Sequence, residues 1–190
     1  MRNLPMNIPF EAVSTTEFET FVQLPENAHK RFELINGAII DMTANQKSSN
    51  IAAIIIWSLM NAVFENDLGD VTVPDGGYAI GDDRLLPDVA FVLRNRQAVV
   101  PDVTYNPVLP DFVAEVVSPS DLRNPKDRIY TKLEVYQRVK IPLMWFVFPH
   151  RQEVDVYVHG EFSYTATKLD KLDGGDVIKG WTLEVSRLFK

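Results

Sequence analysis

Cysteine is missing from all 190 residues. Disulfides, thiolate zinc centres and cysteine nucleophiles are thereby ruled out together, and a reducing compartment is the natural setting. Positive charge is in short supply: 19 Lys and Arg against 26 Asp and Glu leave a net charge of −7. Unspecific adhesion to nucleic acid depends on clustered cations, so this balance counts against it. The three histidines, His29, His150 and His159, have neither metal-ligand spacing nor an evident serine partner. Gly-x-Ser-x-Gly, P-loop and dinucleotide fingerprints do not occur, which sets aside esterase triads and nucleotide-binding folds. The longest apolar run, Ile51 to Phe64, is broken by Ser58 and Asn61 and is too short to cross a bilayer as a helix. It reads as a buried core helix or a helix at a dimer interface. The opening stretch, MRNLPMNIPFEAVS, has no apolar signal core. A cytoplasmic protein with no membrane segment is therefore expected.

What is present reads as one α/β domain over residues 1–190, long enough to bury a real core. Ser14-x-x-Glu17 is a capping box, and Phe18, Phe21 and Val22 give the short helix after it an apolar side that Pro25 closes. Asn36-Gly37 lies between the apolar runs Arg31–Ile35 and Ala38–Met42, a strong hairpin signal because both residues tolerate positive φ. A helix apolar nearly all round, and so buried, follows over about Ser48–Asn66. Short strands are expected at Val71–Val73 and Tyr78–Ile80. Two further runs, Asp88–Leu93 and Phe112–Val117, do not alternate cleanly, which predicts strands covered on both faces. A helix begins after Asn124, with Pro125 and Asp127 in its first turn, and runs to about Val139. Leu143–Phe148 reads as a buried strand and Val154–Val158 as an alternating one. Glycines punctuate a β-rich C-terminal part.

Glu115 carries the most information. It stands within FVAEVV, a run otherwise free of charge. A buried ionised carboxylate costs several kcal/mol unless it is paired, hydrogen-bonded or bound to a cation. Function and a structural ion pair both account for it. Asp88 opens the neighbouring strand after Pro87. Alone it could be a turn residue, but together the two strands can present two carboxylates at one end. Magnesium suits such a pair, completed by water and phosphate oxygens. The other Pro-Asp pairs fit less well: Asp75 lies in a glycine turn, Pro107 soon follows Asp102, and Asp111 precedes Glu115 on the same strand. Lys132 falls within the apolar stripe of Ile129, Leu133, Tyr136 and Val139, so it should turn towards the protein body. The competing explanation is a packed stem with its amine reaching solvent, and Lys126 is the reserve candidate. Glu33, on the early hairpin, is a third acid; pairing with Arg31 is its simpler explanation.

RFELINGAII, LLPDVAFV, DFVAEVVSPSD, the helix with Lys132 and Tyr136, and IPLMWFVFP resemble the Uma-two family of restriction-endonuclease-like proteins. That family belongs to the PD-(D/E)XK nuclease superfamily. The resemblance spans about residues 31–157, and its most specific block is Glu115 to Ser120. It implies a restriction-endonuclease-like mixed β-sheet flanked by helices, with an αβββαβ core. It also implies phosphodiester cleavage, of DNA first of all, with Mg2+ or Mn2+. Asp88 and Glu115 match the metal-binding acids, and the Val116 carbonyl would be a further ligand. Val117 occupies the usual lysine position, and Lys132 on the following helix takes over that role. Glu33 matches an early acidic position and would help hold metal or place water. DNA would need a local basic strip, for which Arg94, Arg96, Arg123, Arg128 and Lys140 are candidates against a scattered solvated surface. Two rival functions are a catalytically inactive nuclease-like module that binds a partner or forms a homodimer, and a hydrolase of small phosphate esters.

Overall fold

The computed structural model describes residues 12–42, 45–118 and 128–190. The capping box forms as expected: Ser14 Oγ accepts from Glu17 N–H, the Glu17 carboxylate returns a bond to Ser14 N–H, and α1 runs over Thr15–Val22. Next, β1 (Phe32–Ile35) and β2 (Ala38–Asp41) form the Asn-Gly hairpin. Asn36 and Gly37 take φ of 49° and 76° there. A second helix, α2 (Gln46–Val63), is capped by Asn45, whose Oδ1 accepts from Lys47 N–H and Ser48 N–H.

Two sheets organise the rest. The larger contains β3 (Gly69–Thr72), β6 (Val89–Leu93), β8 (Phe112–Val116), β9 (Leu143–Phe148), β10 (Glu153–Val158) and β11 (Glu161–Ala166), in the order β11-β10-β9-β8-β6-β3. Its parallel pair is β8–β9, joined through α3 (Arg128–Arg138) as a parallel pair requires. The smaller sheet adds β4 (Gly77–Ile80), β5 (Asp83–Leu85) and β7 (Tyr105–Asn106) to the hairpin, in the order β2-β1-β5-β4-β7. A C-terminal hairpin, β12 (Lys171–Asp173) with β13 (Thr182–Glu184), packs its Leu172 and Leu183 into the core.

Both faces of β8 are covered, as its unbroken apolar run predicts. Phe112, Ala114 and Val116 join the cluster under α2, with Ile55, Leu59, Trp145 and Trp181. Val113 and Val117 join the cluster under α3, with Ile129, Tyr136 and Phe146. Strand alternation puts Glu115 on that second side.

Some elements differ from the sequence reading. Only the inner face of α2 is buried, through Ile51, Ile55, Leu59 and Val63, whereas Trp57 and Phe64 are 61% and 75% exposed. β5 and β7 carry no periodic signal of their own. β5 holds because buried Asp83 receives the Asn36 N–H and the Arg138 guanidinium. The start of the third helix, at Asn124 to Asp127, falls outside the described residues.

Candidate active site

Three side chains of α3 recur every four residues and so share one helix face: Arg128, Lys132 and Tyr136. That face meets two acids, each supplied by a different sheet. Glu33 of β1 is fully buried, and its Oε1 accepts from Leu86 N–H at 2.8 Å and from Lys132 Nζ at 2.9 Å. Its Oε2 lies 3.3 Å from the Arg128 guanidinium. Glu115 of β8 takes Lys132 Nζ at 2.7 Å and the Tyr136 hydroxyl at 2.7 Å, both on Oε1. Lys132 is thus a clasp between the sheets. It is 2% exposed, so its amine does not reach solvent.

Asp88 reaches the same place through strand register. β6 and β8 are antiparallel with Val89 opposite Ala114, and one further step sets Asp88 across from Glu115. Asp88 Oδ2 accepts from Val116 N–H at 2.7 Å, which fixes its carboxylate against the end of β8. Asp88, Glu115, Val116, Arg128 and Lys132 line one cavity of about 90 Å3.

Burial is the main force on the Glu115 carboxyl. Although Lys132 opposes the shift, burial and the charges of Asp88 and Glu33 push its pKa up to about 8. Lys132 responds in the other direction from an ordinary buried amine. Burial pulls its pKa down, yet Glu115, Glu33 and Asp88 hold it above its usual value. The cluster therefore gathers three acids, Glu115, Glu33 and Asp88, around one fixed ammonium. Among the described residues, no group of three or more His, Cys, Asp or Glu is arranged to hold a metal. The donor set is narrower: two carboxylates on facing strands plus main chain. It fits a hard cation that takes one or two carboxylates and keeps several waters.

Sequence reasoning missed the opposite wall of the cavity. Asn45, Ser48 and Ser49 bring the N-terminal turn of α2 to it, beside Arg31 and Ser118. An Asn followed by Ser-Ser at the head of a long apolar helix was the available signal. Arg31 does not pair with Glu33; it reaches Asp75 at 2.7 Å. Of the described residues of the candidate basic strip, only Arg128 lines the cavity. Arg94 is held by Asp67 and Asp70, and Arg96 by Asp111. Lys140 ends the turn after α3 at φ 54°, while Arg123 and the reserve candidate Lys126 lie outside the described residues. Asp111, a competitor to Asp88 in sequence, accepts from Leu93 N–H and Arg96.

A crystal structure titled as that of "a putative nuclease belonging to DUF820" from Anabaena variabilis is similar to the chain at 18% identity. The likeness covers 93% of this chain and 97% of that one with a TM-score of 0.76, and it shows the fold to be restriction-endonuclease-like. No curated protein matches the sequence. The family model Uma2, described as "Putative restriction endonuclease", matches residues 18–186, which extends beyond the stretch whose motifs carried the resemblance. The chain belongs to the Uma2 family.

Proposed function

We propose that the chain is a divalent-metal-dependent endonuclease that hydrolyses phosphodiester bonds, with DNA as its substrate. The observation that supports this most directly is the convergence of Asp88, Glu115 and Lys132 on one cavity from two strands and a helix. Asp88, Glu115 and the Val116 carbonyl would hold magnesium or manganese. Such an ion, when bound, activates a water and offsets phosphoryl charge.

The chain's own groups have separable tasks. Lys132 presents a dry, fixed ammonium to the developing negative charge, where low dielectric makes it most effective. Glu33 is saturated by Leu86 N–H, Lys132 and Arg128, so its task is to hold the lysine and arginine in position. Tyr136 fixes Glu115 through Oε1. Arg31, Arg128 and the positive end of α2 face the same cavity and suit a phosphate group.

Cleavage of plasmid and labelled oligonucleotides with magnesium or manganese tests the reading. Asp88→Ala, Glu115→Ala and Lys132→Ala should each lower the rate by at least about 10²-fold. Rates unchanged in the two acid variants would remove this site from consideration. Cleavage confined to nucleotide monoesters would favour the small-ester hydrolase instead.

A second reading, a non-catalytic module that forms a homodimer, draws on exposed Trp57 and Phe64 of α2. Sedimentation showing a tight dimer dispersed by Trp57→Lys, together with calorimetry showing no metal uptake, would favour it.

A further inference from the structure

Next to the acidic cavity lies a second, larger hollow, about 530 Å3 in volume. That is within the range of small-ligand sites. α1, the 25–28 turn, the start of β1 and β7 enclose it. Three observations describe its chemistry. It is lined by Lys30, Arg31 and Arg84 with Glu19 and Asp75; Arg84 pairs with Glu19 at 2.9 Å and Arg31 with Asp75 at 2.7 Å, so Lys30 gives the lining one positive charge in excess within a chain of net charge −7. Two of the cations lie over rings: the Arg84 guanidinium is 5.8 Å from the centre of Tyr105, and Lys30 Nζ is 6.0 Å from that of Phe32. Asn27, only 6% exposed, donates its amide N–H to Phe21 O at 2.8 Å, and no described hydrogen bond uses its Oδ1.

The hollow adjoins the acidic cavity, with Arg31 as their shared wall. Leu86 lines the hollow and, through its main chain, bonds Glu33 and Lys132 on the other side. An occupant extending past Arg31 therefore arrives at Asp88 and Glu115. Aromatic rings beside cations are how proteins hold unstacked bases and their phosphates. A buried amide adds a group able to meet a base edge. Among the described residues the Arg31 guanidinium is tethered by Asp75 alone, which is 74% exposed, and a phosphate could take that carboxylate's place.

Resting on the phosphodiesterase reading, we infer that this hollow is a nucleotide subsite. It would take one unstacked nucleotide of the nucleic-acid strand, next to the phosphate that enters the acidic cavity.

The test is fluorescence anisotropy of a labelled single-stranded hexadeoxynucleotide in EDTA, where binding is read without cleavage. Thermal melts would confirm that each variant is folded. Tyr105→Leu, which keeps an apolar wall but removes the ring, should weaken binding about tenfold. Asp75→Asn, at an exposed turn, should tighten it about threefold by releasing Arg31. Wild-type affinity in both variants, or no binding by the wild type at millimolar protein, would overturn the subsite. The two readings fail separately. Oligonucleotide binding that depends on Tyr105, with no cleavage under magnesium or manganese, would keep the subsite and remove the hydrolytic function. Cleavage that depends on Glu115, with Tyr105→Leu and Asp75→Asn binding as wild type, would do the reverse.

Discussion

The large sheet has two faces that solve opposite problems. Towards α2 the buried cluster is built of aliphatic and aromatic side chains: Ile55, Leu59, Phe112 and Val147 pack around the stacked Trp145 and Trp181, whose ring centres are 4.6 Å apart. Towards α3, the same strands accept Glu115, Lys132 and Tyr136 at 4% exposure or less, joined by Glu33 from the second sheet. Apolar burial is worth roughly 25 cal/mol per Å2 wherever it occurs, whereas buried charges must be matched partner by partner or they destabilise the fold. One face thus holds the sheet together, and the other spends part of that stability on keeping charges dry and in position.

Removing one charge should have the largest effect. Lys132→Met leaves Glu33 and Glu115 buried without their shared cation and should cost about 3–5 kcal/mol in urea unfolding. If the contrast between the faces is right, Glu115→Gln added to Lys132→Met should restore part of that loss, because Glu33 keeps Leu86 N–H and Arg128 while Glu115 alone is left without a cation.

The charged face should also make stability depend on pH. In EDTA, the folded state keeps a proton on Glu115 up to about pH 8, while the unfolded chain releases it near 4.5. The folded state therefore binds the extra proton between those values. This stabilising contribution is complete below about pH 4.5 and is lost as pH rises towards 8, at no more than about 1.4 kcal/mol per pH unit. Glu115→Gln should flatten the slope, and an unchanged slope would assign it to other groups.

Tyr136→Phe removes the hydroxyl that donates to Glu115 and should cost about 1.5–3 kcal/mol. On the apolar face, Ile55→Val deletes one methylene group and should cost about 0.5–1.5 kcal/mol, with no change in the pH slope. A pH-dependent penalty for Ile55→Val would mean that the two faces are coupled.

The two faces were not equally legible in the sequence. Apolar runs reveal buried strands, so β6, β8 and β9 and the inner side of α2 could be read directly. Glu115 was visible because it interrupts such a run, and Lys132 because helical spacing put it within the stripe of α3. Asp88 was readable by its position at a strand start, although its bond to Val116 N–H required the register between two strands 28 residues apart. Glu33 was open to misreading. Its neighbour Arg31 offered a local partner, whereas its true partners come from α3 and from Leu86, far along the chain. Arg31 was missed as a cavity wall for the same reason, whereas the head of α2 did carry a local mark in Asn45 and the serines after it, although what it faces is set only once both sheets have docked. Arg94 and Arg96 showed the converse, since acids distant in sequence hold them in structural pairs.

The Lys132 clasp takes one acid from each sheet. The large sheet with α3 already holds Asp88, Glu115 and Lys132, but only the smaller sheet brings Glu33, the second acid that fixes the ammonium. The final position of the ammonium is therefore set only when both sheets have docked, so the last step of folding is also the step that completes the cluster.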